Sequence, residues 1–175
     1  MPLDAKNPEI NYYKNNPHWH MHGRPEVPQK EEILAARDRI LARLPKLRVV
    51  GCHLGSNEED LTQLAARLDK YPNFGVDSAA RVRYFATGDR SAAREFLTKY
   101  QDRITYGTDI RAGDGNEEQA WKNVSSTLER DWQFFSSAEP MTYRDRQVQG
   151  LGLPEKVLRK IFHDNPRRWF PGLAL

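Results

Sequence analysis

Apolar positions recur along this chain with two periods, and their alternation lays out an order of elements. Residues 1–29 are polar, rich in Asn and Pro and without a sustained period, so they read as a long loop. From Lys30 to Leu44 the spacing becomes helical. Ile33, Leu34, Ile40, Leu41 and Leu44 share one face, Glu31, Glu32, Arg37, Asp38 and Arg43 cover the other, and Pro45 closes the helix. A first apolar run predicts a strand over about 47–54. Ser56-Asn57-Glu58-Glu59 then forms a capping-box pattern that predicts the start of the next helix, with Leu61, Leu64, Ala65 and Leu68 as its stripe. Tyr71-Pro72-Asn73 leads into a second strand, about 73–79. A helix over about 91–100 buries Ala92, Ala93, Phe96, Leu97 and Tyr100, and Gln101-Asp102-Arg103 turns the chain into a third strand, about 104–108.

Beyond Asp109 lies the Gly-containing loop Ala112-Gly113-Asp114-Gly115-Asn116. A longer helix follows, about 117–135, carrying Trp121, Val124, Leu128, Trp132 and Phe135. Residues 136–150 read as irregular. The last helix opens with Pro154 at its first position and packs Val157, Leu158, Ile161 and Phe162; Pro166 interrupts the pattern and Pro171-Gly172 ends it.

Strands separated by helices imply an α/β fold with a parallel sheet and right-handed crossovers. Three strands make an awkward complete domain, because both sheet edges would be unpaired, whereas a full (β/α)₈ barrel takes about 250 residues. The pattern therefore predicts part of a TIM-type barrel: an extended loop over 1–29, three β/α units over 30–110 and C-terminal helices over 111–175. Open strand edges make self-association an expectation.

Bulk properties narrow the function classes. At 175 residues, 38% hydrophobic and 29% charged, the chain suits a single globular domain acting on a small-molecule substrate. No apolar stretch reaches the length of a membrane span, and Met1-Pro2-Leu3-Asp4-Ala5-Lys6 carries no signal core, so a cytoplasmic location is expected. The net charge of +3 comes from dispersed Lys and Arg. Its tightest cluster, Arg167-Arg168 beside Trp169-Phe170, sits at a helix end, where cations meet the helix dipole, so nucleic-acid binding is not expected. The single cysteine, Cys52, excludes an internal disulfide and reads as a packing residue facing the helices.

In parallel α/β sheets, chemistry collects at the carboxyl ends of the strands, and His53, Asp77 and Asp109 all fall there. On a strand, side chains two apart share a face, which groups Val49, Gly51 and His53, and likewise Thr105, Gly107 and Asp109. Each row has small residues leading to a polar one, leaving room for a metal or substrate. Asp109 offers a hard oxygen to a divalent ion, and the imidazole of His53 can ligate it or hold its water. Taken singly, each residue also has a structural reading: an Asp capping the next loop, a His satisfied by the backbone. Asp77 extends the polar ring, and Arg81 suits an anionic substrate through a bidentate contact; an ion pair between the two is the competing reading. His18-Trp19-His20-Met21-His22 spells His-x-His twice, but between Asn15-Asn16-Pro17 and Gly23-Arg24-Pro25 it has no strand to sit on and reads as a loop rim. His163 reads as a cap or dipole partner at a helix end.

Several segments resemble the amidohydrolase-related metal-dependent hydrolases, a group that includes aminocarboxymuconate-semialdehyde decarboxylase. They are Arg24-Pro25-Glu26, Ala35-Ala36-Arg37-Asp38-Arg39, residues 51–56, residues 71–77, His163-Asp164-Asn165-Pro166-Arg167-Arg168-Trp169-Phe170 and, most specific, residues 100–109 with Tyr-Gln-Asp-Arg and Tyr-Gly-Thr-Asp. The resemblance implies a TIM barrel with a divalent metal, usually zinc, at the strand ends, this chain being its C-terminal part with the sixth to eighth strands. Asp109 would then contact the metal and orient or deprotonate its water, and His53 would hold that water or the substrate. Independently of the resemblance, Arg24, Arg81 and Asp77 are the candidate substrate contacts. The implied reaction is hydrolysis at an electrophilic carbon or, in some relatives, decarboxylation. The family's His-x-His strand and its fifth-strand histidine have no counterpart here, so the chain by itself is expected to lack the full ligand set. The alternative is a non-catalytic module that pairs through its strand edges.

Overall fold

A computed structural model describes residues 10–110 and 116–172. It divides into two units, Met1–Leu44 and Pro45–Leu175.

The first unit holds α1 (Ile10–Asn15), a 3₁₀ turn at Pro17–Trp19 and α2 (Lys30–Arg43). The expected uninterrupted loop over 1–29 is thus broken by a short helix, while residues 1–9 lie outside the described residues. Gln29 organises the approach to α2. Its side-chain amide donates to the Arg24 carbonyl at 2.9 Å and accepts from the Gly23 N–H at 3.1 Å, while its own N–H donates to the Glu32 carboxylate at 2.7 Å. That carboxylate satisfies one of the free donors at the helix start. Of the expected apolar face of α2, Leu34 and Leu41 are buried, but Ile33, Ile40 and Leu44 are exposed.

The second unit begins with β1 (Val49–Gly51), a short turn α3 (Cys52–Gly55) and α4 (Leu61–Lys70). It continues through β2 (Phe74–Asp77), α5 (Val82–Thr87), α6 (Arg90–Lys99) and β3 (Ile104–Thr105). After α7 (Glu117–Ser136) come β4 (Pro140–Tyr143), β5 (Arg146–Gln149), α8 (Glu155–Arg159), a π-helical turn over Lys160–Asp164 and α9 (Asn165–Trp169). The three parallel strands lie in the order β1-β2-β3, with Val49 opposite Phe74 and Val76 opposite Ile104. This is the architecture of part of a TIM-type barrel, and 175 residues are too few for a whole one.

Three expectations are corrected here. The helix after β1 is capped by Asp60, whose carboxylate accepts from the Gln63 N–H at 2.9 Å, and not by Ser56. Residues 136–150 are not irregular: β4 and β5 form an antiparallel hairpin. Nor does Pro166 break the last helix, because the π turn absorbs the register and Pro166 falls in the first turn of α9, where a missing N–H costs nothing.

The core comes from the apolar stripes. Leu64 and Leu68 of α4, Phe96 and Leu97 of α6, Phe74 and Val76 of β2 and Ile104 of β3 are all buried. One outer side of the sheet is closed by the C-terminal segment. Strand alternation turns the Ile104 carbonyl and the Tyr106 N–H away from β2. The buried Asn165 amide donates to that carbonyl at 2.7 Å and to the Gln101 carbonyl at 2.6 Å, and the Tyr106 N–H donates to Ile161 at 3.0 Å. The β3 edge, expected open, is covered; β1 keeps a strand neighbour on one side only among the described residues. Trp121, Leu128 and Trp132 are exposed on α7. No helix among the described residues is long and apolar enough to cross a membrane.

A buried carboxylate ties α7 to both the sheet and the hairpin. Asp131 is buried and accepts from Tyr143 at 2.8 Å, from Tyr106 at 3.0 Å and from Arg130 at 3.1 Å. Burial, then the Asp131 charge, pushes both tyrosine hydroxyls up, so they stay protonated donors across the ordinary pH range. Replacing Asp131 by Ala orphans three donors at once. A loss of about 3 kcal/mol in urea unfolding is expected, and a loss below about 0.5 kcal/mol, the size of an ordinary surface change, would show that this hub carries no stability.

Candidate functional site

The site is assembled from the carboxyl ends of the three parallel strands. β1 stops at Gly51, and the next residues fold into α3 with His53 and Leu54 in the left-handed region at φ 57° and 54°. The expected strand over 47–54 is therefore too long, and His53 does not share a strand face with Val49 and Gly51. The turn, not the pleat, aims its ring. Cys52, expected to be buried against helices, is exposed instead.

Asp77, at the end of β2, receives this turn. Its Oδ1 accepts from the His53 N–H at 2.8 Å and from the Ala79 N–H at 3.1 Å. The imidazole Nδ1 in turn lies 2.7 Å from the Ala79 carbonyl. A carbonyl only accepts, so Nδ1 carries the proton and a neutral ring leaves Nε2 as a lone-pair acceptor. That Nε2 faces Oδ2 of Asp109 at 4.0 Å. Asp109 lies beyond β3, which ends at Thr105 rather than at about 108, and is itself left-handed at φ 60°. Ala80, at φ 54°, adds another left-handed residue to the loop after β2. Such conformations cost of order 1–3 kcal/mol each and gather at functional sites.

The structure thus brings His53, Asp77 and Asp109 together within the second unit. Arg81 does not pair with Asp77; its Nε donates to Glu58 at 3.2 Å and its Nη1 to the Ala80 carbonyl at 3.3 Å. Sequence reasoning gave Glu58 to a helix cap, and only the folded loops bring it to Arg81. Tyr84, near the same pair, is pushed up to about 12 by burial and then by the Glu58 charge. Arg24 belongs to the first unit, where its guanidinium donates to the Pro17 carbonyl at 3.1 Å. In that unit His18 lies tilted beside Trp19 and His20 edge-on to His22, with ring centroids 5.4 and 6.1 Å apart. His163 Nδ1 lies 2.8 Å from Asp164, and this contact holds the Asp164 carboxyl below the usual range. The glycine loop after Asp109 falls largely on 111–115, outside the described residues.

The chain belongs to the amidohydrolase family: the Amidohydrolase family model matches residues 16–172. Neither curated proteins nor solved structures contain a match to it.

Members of this family usually bind a metal, and the donors present can be tested against that. His53 has the arrangement of a metal ligand, with one ring nitrogen fixed by a carbonyl and the other free, and Asp109 offers an oxygen to the same space. Catalytic zinc takes about three protein ligands. Among the described residues no group of three His, Cys, Asp or Glu side chains is placed to hold a metal. The pair fits part of a ligand set and not a whole one.

Cys52 reports on the same carboxylates. What screening its sulfur has from water, then the charges of Asp77 and Asp109, raise the thiol above its ordinary 9.0. Alkylation of Cys52 by iodoacetamide is therefore expected to be slow at pH 8, and Asp77→Asn should speed it by exposing more thiolate. Equal rates in the two proteins would show that the Asp77 charge does not reach the sulfur.

Proposed function

We propose that His53 and Asp109 are the water-activating pair of a hydrolase acting at a C–N, C–O or related electrophilic centre. One observation carries the reading. Two acceptors, the Nε2 lone pair and the Asp109 carboxylate, face each other at 4.0 Å, with the other imidazole nitrogen already committed to Ala79. A water between them can donate one hydrogen to each, and both can draw its proton as it attacks. The carboxylate is more than half exposed, so the pair opens to solvent and to an incoming substrate. Arg81, on the loop that carries Ala79 and Ala80, is the contact for an anionic substrate group, since its Nη2 makes no bond among the described residues. A divalent metal, zinc in the first instance, would need donors beyond these two, and membership of the family supports that larger site. Decarboxylation by the same pair is the alternative chemistry.

The test is turnover of an activated ester, a lactone and an amide, together with carbon dioxide release from a carboxylated substrate, each with and without added zinc. His53→Gln and Asp109→Asn should each lower turnover roughly a hundredfold or more, with circular dichroism unchanged. Turnover equal in all three proteins, or none under any condition, overturns the reading.

A second reading, a module that pairs through its sheet, draws on the edge of β1, which lacks a strand partner on one side among the described residues. A proline at Val50 removes an N–H and blocks ladder pairing. If β1 mediates association, sedimentation velocity should show a concentration-dependent larger species that Val50→Pro abolishes; a monomer at all concentrations removes this reading.

A further inference from the structure

Apart from the His53–Asp109 pair, a cleft of about 320 Å³ opens beside the first turns of α6, where Arg90, Ser91, Arg94 and Glu95 face Leu151 and Gly152. Arg90 and Arg94 are four residues apart on one helix, so their side chains share a face. The opposite wall is held close by two glycines. A Cβ on Gly150 would lie 2.2 Å from the Ser137 carbonyl oxygen, and Gly152, at φ 56°, would bring one 2.9 Å from Ala138. Only glycine lets segment 150–152 run this near the end of α7, and that course presents two carbonyls to the arginines. Arg90 donates through Nε to Gly150 at 2.8 Å and through Nη2 to Leu151 at 3.3 Å; Arg94 donates through Nε to the same Leu151 carbonyl at 3.2 Å.

These bonds orient both guanidinium groups without neutralising either. Carbonyls bring no charge, and among the described residues neither arginine forms an ion pair. The nearby carboxylate of Glu95 accepts from the Ser91 hydroxyl at 3.1 Å. Two like charges therefore converge on one carbonyl oxygen, with Nη1 of Arg90 and both Nη groups of Arg94 left without an acceptor. Coulomb repulsion between them is relieved by an anion seated across the free donors. The geometry points to a binding site here for a small oxyanion, a phosphate or carboxylate group, separate from the hydrolytic pair and independent of it.

The experiment is an amide chemical-shift titration of the full chain with inorganic phosphate and, separately, acetate, both at constant ionic strength. Saturable shifts at Ser91, Leu151 and Gly152 are expected across the millimolar range. Saturation by phosphate alone assigns the site to phosphoryl groups, and saturation by acetate alone to carboxylates. Arg94→Gln should weaken binding about tenfold, the worth of one charge-assisted contact, while Glu95→Gln should tighten it by removing the opposing charge. If Arg94→Gln fails to fold, Glu95→Gln decides. Linear shifts with both anions, affinity unchanged in Arg94→Gln, or affinity unchanged in Glu95→Gln overturns the proposal.

Discussion

The candidate site depends on one carboxylate oxygen. Oδ1 of Asp77 accepts from the His53 and Ala79 N–H groups, and the Ala79 carbonyl takes the His53 ring proton in return. These three bonds join the end of β1 to the loop after β2 and hold His53 in a left-handed conformation that it would not keep alone. They also settle which ring nitrogen is free. Without Asp77 there would be an imidazole near the strand ends but no reason for its Nε2 to face Asp109. The side chain that looked like one more member of a polar ring is the one that positions His53.

A second carboxylate, this one buried, does comparable work for the frame. Asp131 joins α7 to Tyr106, just past β3, and to Tyr143 in the hairpin, while Asn165 closes the outer side of β3. Both arrangements satisfy polar groups that burial would otherwise leave unmatched, which is the condition for keeping them inside at all. They explain why the short strand Ile104–Thr105 is a stable platform for the loop that carries Asp109. Candidate site and frame meet at β3: the C-terminal segment anchors the strand, and the chain beyond it leads to Asp109.

Membership of the amidohydrolase family and the facing of two acceptors are separate observations on this chain. The family concerns the whole chain from residue 16 to 172, whereas the geometry concerns three side chains. Neither supplies a third metal donor among the described residues. The chemistry proposed for this chain rests on what an imidazole and a carboxylate can do to a shared water.

The sequence by itself determined the class of fold, the order of the main helices and the three strand ends whose polar residues the structure brings together. Period and composition suffice for that: Leu64, Leu68, Ala93, Phe96 and Leu97 are buried at the positions their spacing assigns. It did not determine where strands stop, because His53 and Asp109 are themselves left-handed although neither is a glycine. The hairpin was hidden for the same reason, with Arg144 at φ 57° where a glycine would have signalled the turn. Nor does an apolar stripe say whether anything covers it, as Trp121, Leu128 and Trp132 show. Which acid meets which base was decided only by tertiary structure. Asp77 chose two backbone amides and Arg81 chose Glu58 because those groups lie on loops after different strands, and only the packed sheet sets the distance between them.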